Sequence, residues 1–125
     1  MTKQKIADIY RFLSVASMKR MNDDEKVAFM RLLRTMKPVF TELNDAVKDA
    51  VDKAKAEMED ESHIMEFVNK AVEDLATQEA DIIITTMTKE AFDRLCLSND
   101  WNFAQIDELE ESLVKPSQER TDVKE

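Results

Sequence analysis

An unbroken apolar seam, with spacings that alternate between four and three residues, runs through the second quarter of the chain. It consists of Phe29, Leu33, Met36, Phe40, Leu43, Val47, Ala50 and Ala54. Heptad spacing of this kind is typical of a helix packed lengthwise on another helix. The seam predicts a helix from Asp23 to Glu59. Pro38 lies inside it, so we expect either a kink near residues 34–37 or a break.

Capping residues and apolar spacing predict four further helices around this seam. The first covers about residues 3–18, and the third covers about residues 63–78 and folds back antiparallel on the second half of helix two. A capping box that starts at Asn22 opens helix two. Two short helices close the chain, with Thr88 and Asn102 as their N-cap residues.

The predicted fold class is therefore mainly α. A long kinked helical hairpin covers about residues 23–78, an N-terminal helix packs on its base, and a two-helix cap covers about residues 89–114. We expect a single helical domain over residues 1–114. Residues 115–125 contain one apolar residue and predict a flexible tail.

A run of five β-branched residues interrupts the helical pattern: Ile82, Ile83, Ile84, Thr85 and Thr86. Such side chains favour strands, so we predict one short isolated β-like strand over about residues 81–87. No comparable run exists elsewhere in the chain to pair with it. Three outcomes stay open: an extended connector whose isoleucines plug the helical core, a ribbon with the same run of a second copy, or addition to the sheet of another protein. We interpret this run as the surface that binds a partner.

The residue types needed for catalysis are scarce. The chain has no glycine, which excludes the phosphate loops and dinucleotide-binding turns that are built on glycine. With one histidine, His63, and one cysteine, Cys96, a zinc site or a nucleophile–base pair lacks its parts. We expect no enzyme, no cofactor and no metal, and we interpret Cys96 as a small buried apolar residue.

Charge is distributed unevenly along the chain. Residues 1–37 contain nine basic and four acidic residues, whereas residues 38–125 contain nine basic and 23 acidic ones, which together give the net charge of −9. Three of the bases, Arg31, Arg34 and Lys37, recur every three residues and are a candidate partner-binding face. This face is either solvated or neutralised by the acidic part of another copy. We do not expect nucleic-acid binding, because no aromatic residues are interleaved with these bases.

Two stretches carry a resemblance to known proteins. They are "IADIYRFLSVASMKRM…EKVAFMRLLRTMKPV" near the front and "MTKEAFDRLCLSNDWNFAQIDELEESLV" near the end. Their pattern of apolar positions, with "SND", resembles a group of uncharacterised small helical proteins of Bacteroides-type gut bacteria and their tailed phages. The resemblance implies a role in a phage or prophage particle or in its assembly.

Together these observations predict a non-enzymatic protein–protein interaction or assembly protein, a structural or accessory component of a phage or prophage, that self-associates as a dimer or larger oligomer. The alternative is an acidic inhibitor or nucleic-acid mimic, whose negative surface from Glu42 through Glu79 would block a partner's phosphate-binding face. A small metabolic enzyme comes third. No long apolar segment or signal peptide is present, so we expect no membrane association and a cytoplasmic location, or a virion if the protein is phage-encoded.

Overall fold

The computed structural model describes residues 1–57 and 61–114. Its five helices are α1 (Lys3–Leu13), α2 (Asp23–Glu57), α3 (Glu61–Ala76), α4 (Lys89–Leu97) and α5 (Phe103–Leu113). The mainly α fold class is confirmed, with its long helix, its hairpin and its two short terminal helices. The tail predicted over residues 115–125 lies outside the described residues. No helix in the described ranges is both long enough and apolar enough to cross a membrane.

Four of the described helices, α1, α2, α4 and α5, start at a residue whose side chain caps them. Thr2 and Thr88 accept hydrogen bonds from the backbone N–H groups three residues ahead, and so cap α1 and α4. Asn22 starts α2 with the predicted capping box, since its side chain accepts from the Glu25 N–H at 2.8 Å and its own N–H donates to the Glu25 carboxylate at 3.0 Å. Asn102 starts α5 in the same way. These caps depend on residues three apart, which is why the sequence predicts those at Asn22, Thr88 and Asn102.

One predicted feature of the helices is wrong, and one alternative that the sequence left open is excluded. Helix α1 ends at Leu13 rather than near Met18, because the next segment is hydrogen-bonded to the turn after α4, as described below. Helix α2 continues through Pro38, so the alternative of a break is excluded. Pro38 removes one backbone hydrogen bond and its ring clashes with the preceding turn, but the packing of α2 along much of its length outweighs this cost.

The described chain groups into two compact units, of which the first comprises Met1–Ser14 and Leu33–Ile82. Here α3 packs on the second half of α2. Leu43 of α2 packs with Ala76, and Ala54 packs with Val68, so residue numbers rise along one helix as they fall along the other. The hairpin is thus antiparallel, as predicted. Helix α1 joins the core at its base, where Ala7 packs with Leu43 and Ala76.

The second unit comprises Val15–Leu32 and Ile83–Glu125. It contains the first turns of α2, together with α4 and α5. Its most deeply buried large side chains are Phe29, Phe92, Leu95 and Leu113. The single domain expected over residues 1–114 stays a prediction.

Candidate interaction surface

The run Ile82–Thr86 forms no strand. Residues 81–86 have no regular secondary structure, and no bridge joins them to another described segment. The predicted strand over residues 81–87 is therefore not confirmed, because a strand needs a partner and the described chain does not provide one. Only Met87, at its end, makes an isolated parallel bridge with Val114, in which the Met87 N–H donates to the Leu113 carbonyl at 2.8 Å.

Exposure differs along this run. Ile82 and Ile84 are half-buried, whereas the Ile83 side chain is 89 % exposed and Thr85 and Thr86 are exposed. Of the three isoleucines, Ile83 is therefore the one that lies open to solvent.

The last residues of the run rest on helix α2. Thr85, Thr86 and Met87 line a small cavity together with residues of the first turns of α2 and with Ala91 of α4. The α2 residues are Glu25, Ala28, Phe29 and Leu32, and Met21, two residues before the helix, completes the lining. The cavity measures about 40 Å³, far below the roughly 300 Å³ at which small-molecule sites begin. It anchors the segment rather than binding a ligand.

The predicted basic face consists of exposed residues. Arg31 belongs to the second unit, and Arg34 and Lys37 to the first. Within the second unit, Arg31 is not among the residues that line the cavity with Thr85 and Thr86. The binding role assigned to these three bases, like that of the β-branched run, stays a prediction.

A hydrogen-bonded clasp in the second unit was not predicted. The Asn99 side chain accepts from the Ser17 N–H at 2.8 Å and donates to the Ser17 carbonyl at 3.0 Å. Next to it, the Ser98 hydroxyl accepts from the Arg20 N–H at 2.8 Å. These contacts hold residues 17–20 in an irregular conformation. In the sequence, Ser98 and Asn99 stand out only as part of "SND", which carries the resemblance and does not predict this contact.

Exposed apolar side chains lie near this clasp. Val15 is 86 % exposed, Leu97 is 69 % exposed and Phe103 is 81 % exposed. With Ile83, these are the four most exposed of the large apolar residues that the structure describes, and all belong to the second unit. Single exposed apolar side chains are common on protein surfaces, so these exposures by themselves do not mark an interface.

Groups capable of catalysis are not brought together in the described part of the chain. His63 is exposed on α3. Cys96 is half-buried rather than fully buried, and burial raises the pKa of its thiol to about 11, so little thiolate forms near neutral pH. Among the described residues, no group of three His, Cys, Asp or Glu side chains could hold a metal ion.

Comparison with known proteins yields no relative. A scan against protein-family models, a search of curated proteins and a search of solved structures each find no match for this chain. The resemblance to small proteins of gut bacteria and their phages therefore stays a prediction.

Proposed function

We propose that this chain is a non-enzymatic assembly protein and that it associates with a second copy of itself through the run Ile82–Thr86. One observation carries the proposal. Ile83 is 89 % exposed in a run whose backbone N–H and C=O groups make no bridge within the described chain. An apolar segment with unpaired backbone groups is a template for pairing, and folded proteins normally cover it.

Pairing with an identical run is geometrically simple. If two runs lie antiparallel with Ile84 at the centre, Ile83 of one copy lies opposite Thr85 of the other, on the exposed side. Cross-strand pairs of β-branched residues each contribute about 0.2–1 kcal/mol. A two-stranded ribbon is marginal on its own, so a stable assembly also needs contacts between the helical parts of the two copies.

The setting that we propose is a phage or prophage particle or its assembly, in the cytoplasm or the virion. Support for this setting comes only from the resemblance of the two quoted stretches. Proteins recovered from a lysate would separate this setting from the alternative of an acidic nucleic-acid mimic. Particle proteins support the assembly role, whereas nucleic-acid enzymes support the mimic.

Self-association is tested by sedimentation equilibrium over a dilution series of the parent, Ile83→Lys and Ile83→Val. Because Ile83 is so exposed within one copy, both variants should fold, which circular dichroism checks. The parent and Ile83→Val should form dimers or larger oligomers, and Ile83→Lys should lose this contact. Hydrogen exchange of the amides of residues 82–86 should slow as the parent associates. A parent that is monomeric at every concentration, or an Ile83→Lys protein with the same mass as the parent, would show that the proposal is wrong.

A further inference from the structure

Helix α3 has more apolar surface than one neighbouring helix can cover. At 100° per residue, its apolar side chains from Phe67 round to Ala76 span an arc of about 180°. A contact with a single neighbouring helix needs an apolar arc of only about 100°. At the base of the hairpin the remainder is covered by α1, since Ala76 packs with Ala7.

The same side of α3 continues beyond the reach of α1. Val72, four residues before Ala76, is half-buried, and Met65, a further seven residues back, is 59 % exposed. Seven- and four-residue steps keep a residue on one side of a helix. The stripe that lies under α1 at one end of α3 is therefore open to solvent near the other.

Helix α2 repeats this arrangement. Phe40 contacts Tyr10 of α1, with ring centroids 4.9 Å apart. Val47 and Val51, seven and eleven residues further along, are respectively 38 % exposed and half-buried. We call Val47, Val51, Met65 and Val72 the distal strip. Ala50, Ala54 and Val68 form the contact between the two antiparallel helices. On each helix the strip residues are displaced from this contact in the same rotational sense, so in an antiparallel pair they lie on the same side of the hairpin.

An open groove lies beside Val72 of the strip. It is lined by Gln4, in the first turn of α1, and by residues of α3 that include Asn69, Val72 and Ala76, with an open volume of about 490 Å³. The start of α1 is fixed beside it, because the Lys3 N–H donates to the Gln78 carbonyl at 2.9 Å. In the described residues, the first unit thus has three packed helices at its base and two along its distal part.

The two edges of the distal strip carry opposite net charges. Lys48 and Lys55 are exposed on the α2 edge, whereas Glu66 and Glu73, with Lys70 between them, are exposed on the α3 edge. Consider a second hairpin that is related to the first by a twofold axis parallel to the helices. The glutamate edge of each hairpin would then lie against the lysine edge of the other. Such mutual matching is what a twofold contact between identical chains requires.

We infer that the distal strip docks the distal strip of a second copy, so that four helices pack together. This inference rests on the proposed function and adds to it a second contact between copies. Exposed charge pairs contribute little stability, so the apolar strip supplies affinity and the charged edges select the partner and its orientation. With two different twofold contacts per chain, copies join into assemblies larger than a dimer.

The test isolates this contact by using Ile83→Lys as the background, which removes pairing of the β-branched run. Sedimentation equilibrium should show a dimer. Adding Met65→Asp should raise the dimer dissociation constant by about tenfold or more, because an unpaired carboxylate is buried in the contact. Adding Met30→Asp, at an exposed methionine outside the strip, is the matched control and should leave the dimer unchanged.

Charge exchange gives a sharper result in the same background. A variant with Lys48→Glu and Lys55→Glu should be monomeric alone, as should a variant with Glu66→Lys and Glu73→Lys. In each variant the α2 edge and the α3 edge of the strip carry net charge of the same sign, so two copies repel each other. An equimolar mixture of the two should form a one-to-one dimer, because every edge then meets its opposite.

The outcomes separate the two proposals. If Ile83→Lys is monomeric while the parent associates, the inference about the strip is wrong and pairing of the β-branched run stands. If Met65→Asp leaves the Ile83→Lys dimer intact, the inference about the strip is also wrong, and the mass of Ile83→Lys against that of the parent decides whether the run pairs. If Ile83→Lys matches the parent and Met65→Asp abolishes association, the strip stands and the pairing of the run is wrong. A monomeric parent contradicts both.

Discussion

Arg94 of α4 and Glu25 of α2 form a bidentate ion pair within the second unit. The Arg94 Nε donates to the two carboxylate oxygens at 2.8 and 3.0 Å, and Nη2 donates to one of them as well. The same carboxylate accepts the Asn22 N–H at 3.0 Å. The Arg94 guanidinium therefore lowers the pKa of Glu25 below its ordinary value of 4.5 and couples the start of α2 to α4.

This pair predicts a pH-dependent loss of stability in Glu25→Gln. A carboxyl whose pKa is lowered in the folded state stabilises the fold above its ordinary pKa, and this contribution is lost as the pH falls through the folded value. The variant should melt below the parent at pH 7, and the difference should shrink as the pH is lowered through about 4.5. Thermal melts across this range measure it. Glu111→Gln, at an exposed acid of α5, should show no such trend, and a difference that stays constant with pH would contradict the prediction.

Asn99→Ala should destabilise the protein by about 2 kcal/mol, since three hydrogen bonds at roughly 0.5–1.5 kcal/mol each are removed. The three are the two to Ser17 and one to the Leu95 carbonyl. Urea denaturation gives the free energy of unfolding. The Ser17 amide should also exchange faster, because its acceptor is lost, whereas the Arg20 amide keeps the Ser98 hydroxyl. Asn44→Ala, on the exposed side of α2, is the control. Equal stability of Asn99→Ala and Asn44→Ala would mean that the clasp contributes nothing.

Two residues of the apolar seam should now respond differently to the same substitution. The seam alone predicts that Leu43→Asp and Val47→Asp are equally damaging. In the structure Leu43 is 5 % exposed and packs with Ala7 and Ala76, whereas Val47 is 38 % exposed. We expect Leu43→Asp to unfold the protein, because it buries an unpaired charge, and Val47→Asp to cost the single chain about 1 kcal/mol, measured in dilute solution where copies are separate. Circular dichroism melts decide, and equal melting temperatures would refute this distinction.

Association of the parent should weaken as salt is raised. The first 37 residues carry a net positive charge and the remainder a large negative one, so copies attract through exposed groups that salt screens within about 10 Å at 0.1 M. Sedimentation at about 0.05 M and 0.5 M salt measures the change. The charge-exchanged mixture described above should show the same dependence. Oligomers that do not respond to salt would show that apolar contacts alone hold the copies together.

Cys96 should react slowly with a thiol-alkylating reagent. With its pKa raised to about 11 by burial, it should form about a hundredfold less thiolate near pH 8 than an exposed cysteine of ordinary pKa near 9. Alkylation followed by mass spectrometry gives the rate. The reference is Glu111→Cys in a Cys96→Ser background. Rates within a factor of a few of each other would contradict the raised pKa.

The helices and their caps were predictable from the sequence because they depend on residues three to seven apart. The seam from Phe29 to Ala54 and the capping boxes at Asn22 and Asn102 each act within one or two helical turns. The antiparallel hairpin follows from the same local pattern, since two apolar stripes joined by a short connection bury each other.

The candidate surface was only partly predictable. The run Ile82–Thr86 is conspicuous in the sequence, but the strand that its β-branched residues predict is not confirmed. Propensity predicts an extended conformation residue by residue, whereas a strand also needs hydrogen-bonding partners from elsewhere. The distal strip gave no signal of its own, because Met65 and Val72 look like ordinary core residues of an amphipathic helix.

What the sequence alone determined is therefore the mainly α class, the number of helices and most of their starting residues. Only the tertiary structure decided where α1 ends, which seam residues stay exposed and how the turn after α4 is held. The hydrogen bonds between Asn99 and Ser17 join residues 82 positions apart. The exposure of Met65 depends on how much of α3 is covered by α1, whose first turn lies beside α3 at Gln4. Burial and long-range hydrogen bonds are properties of neighbours that only folding brings together, and no local spacing encodes them.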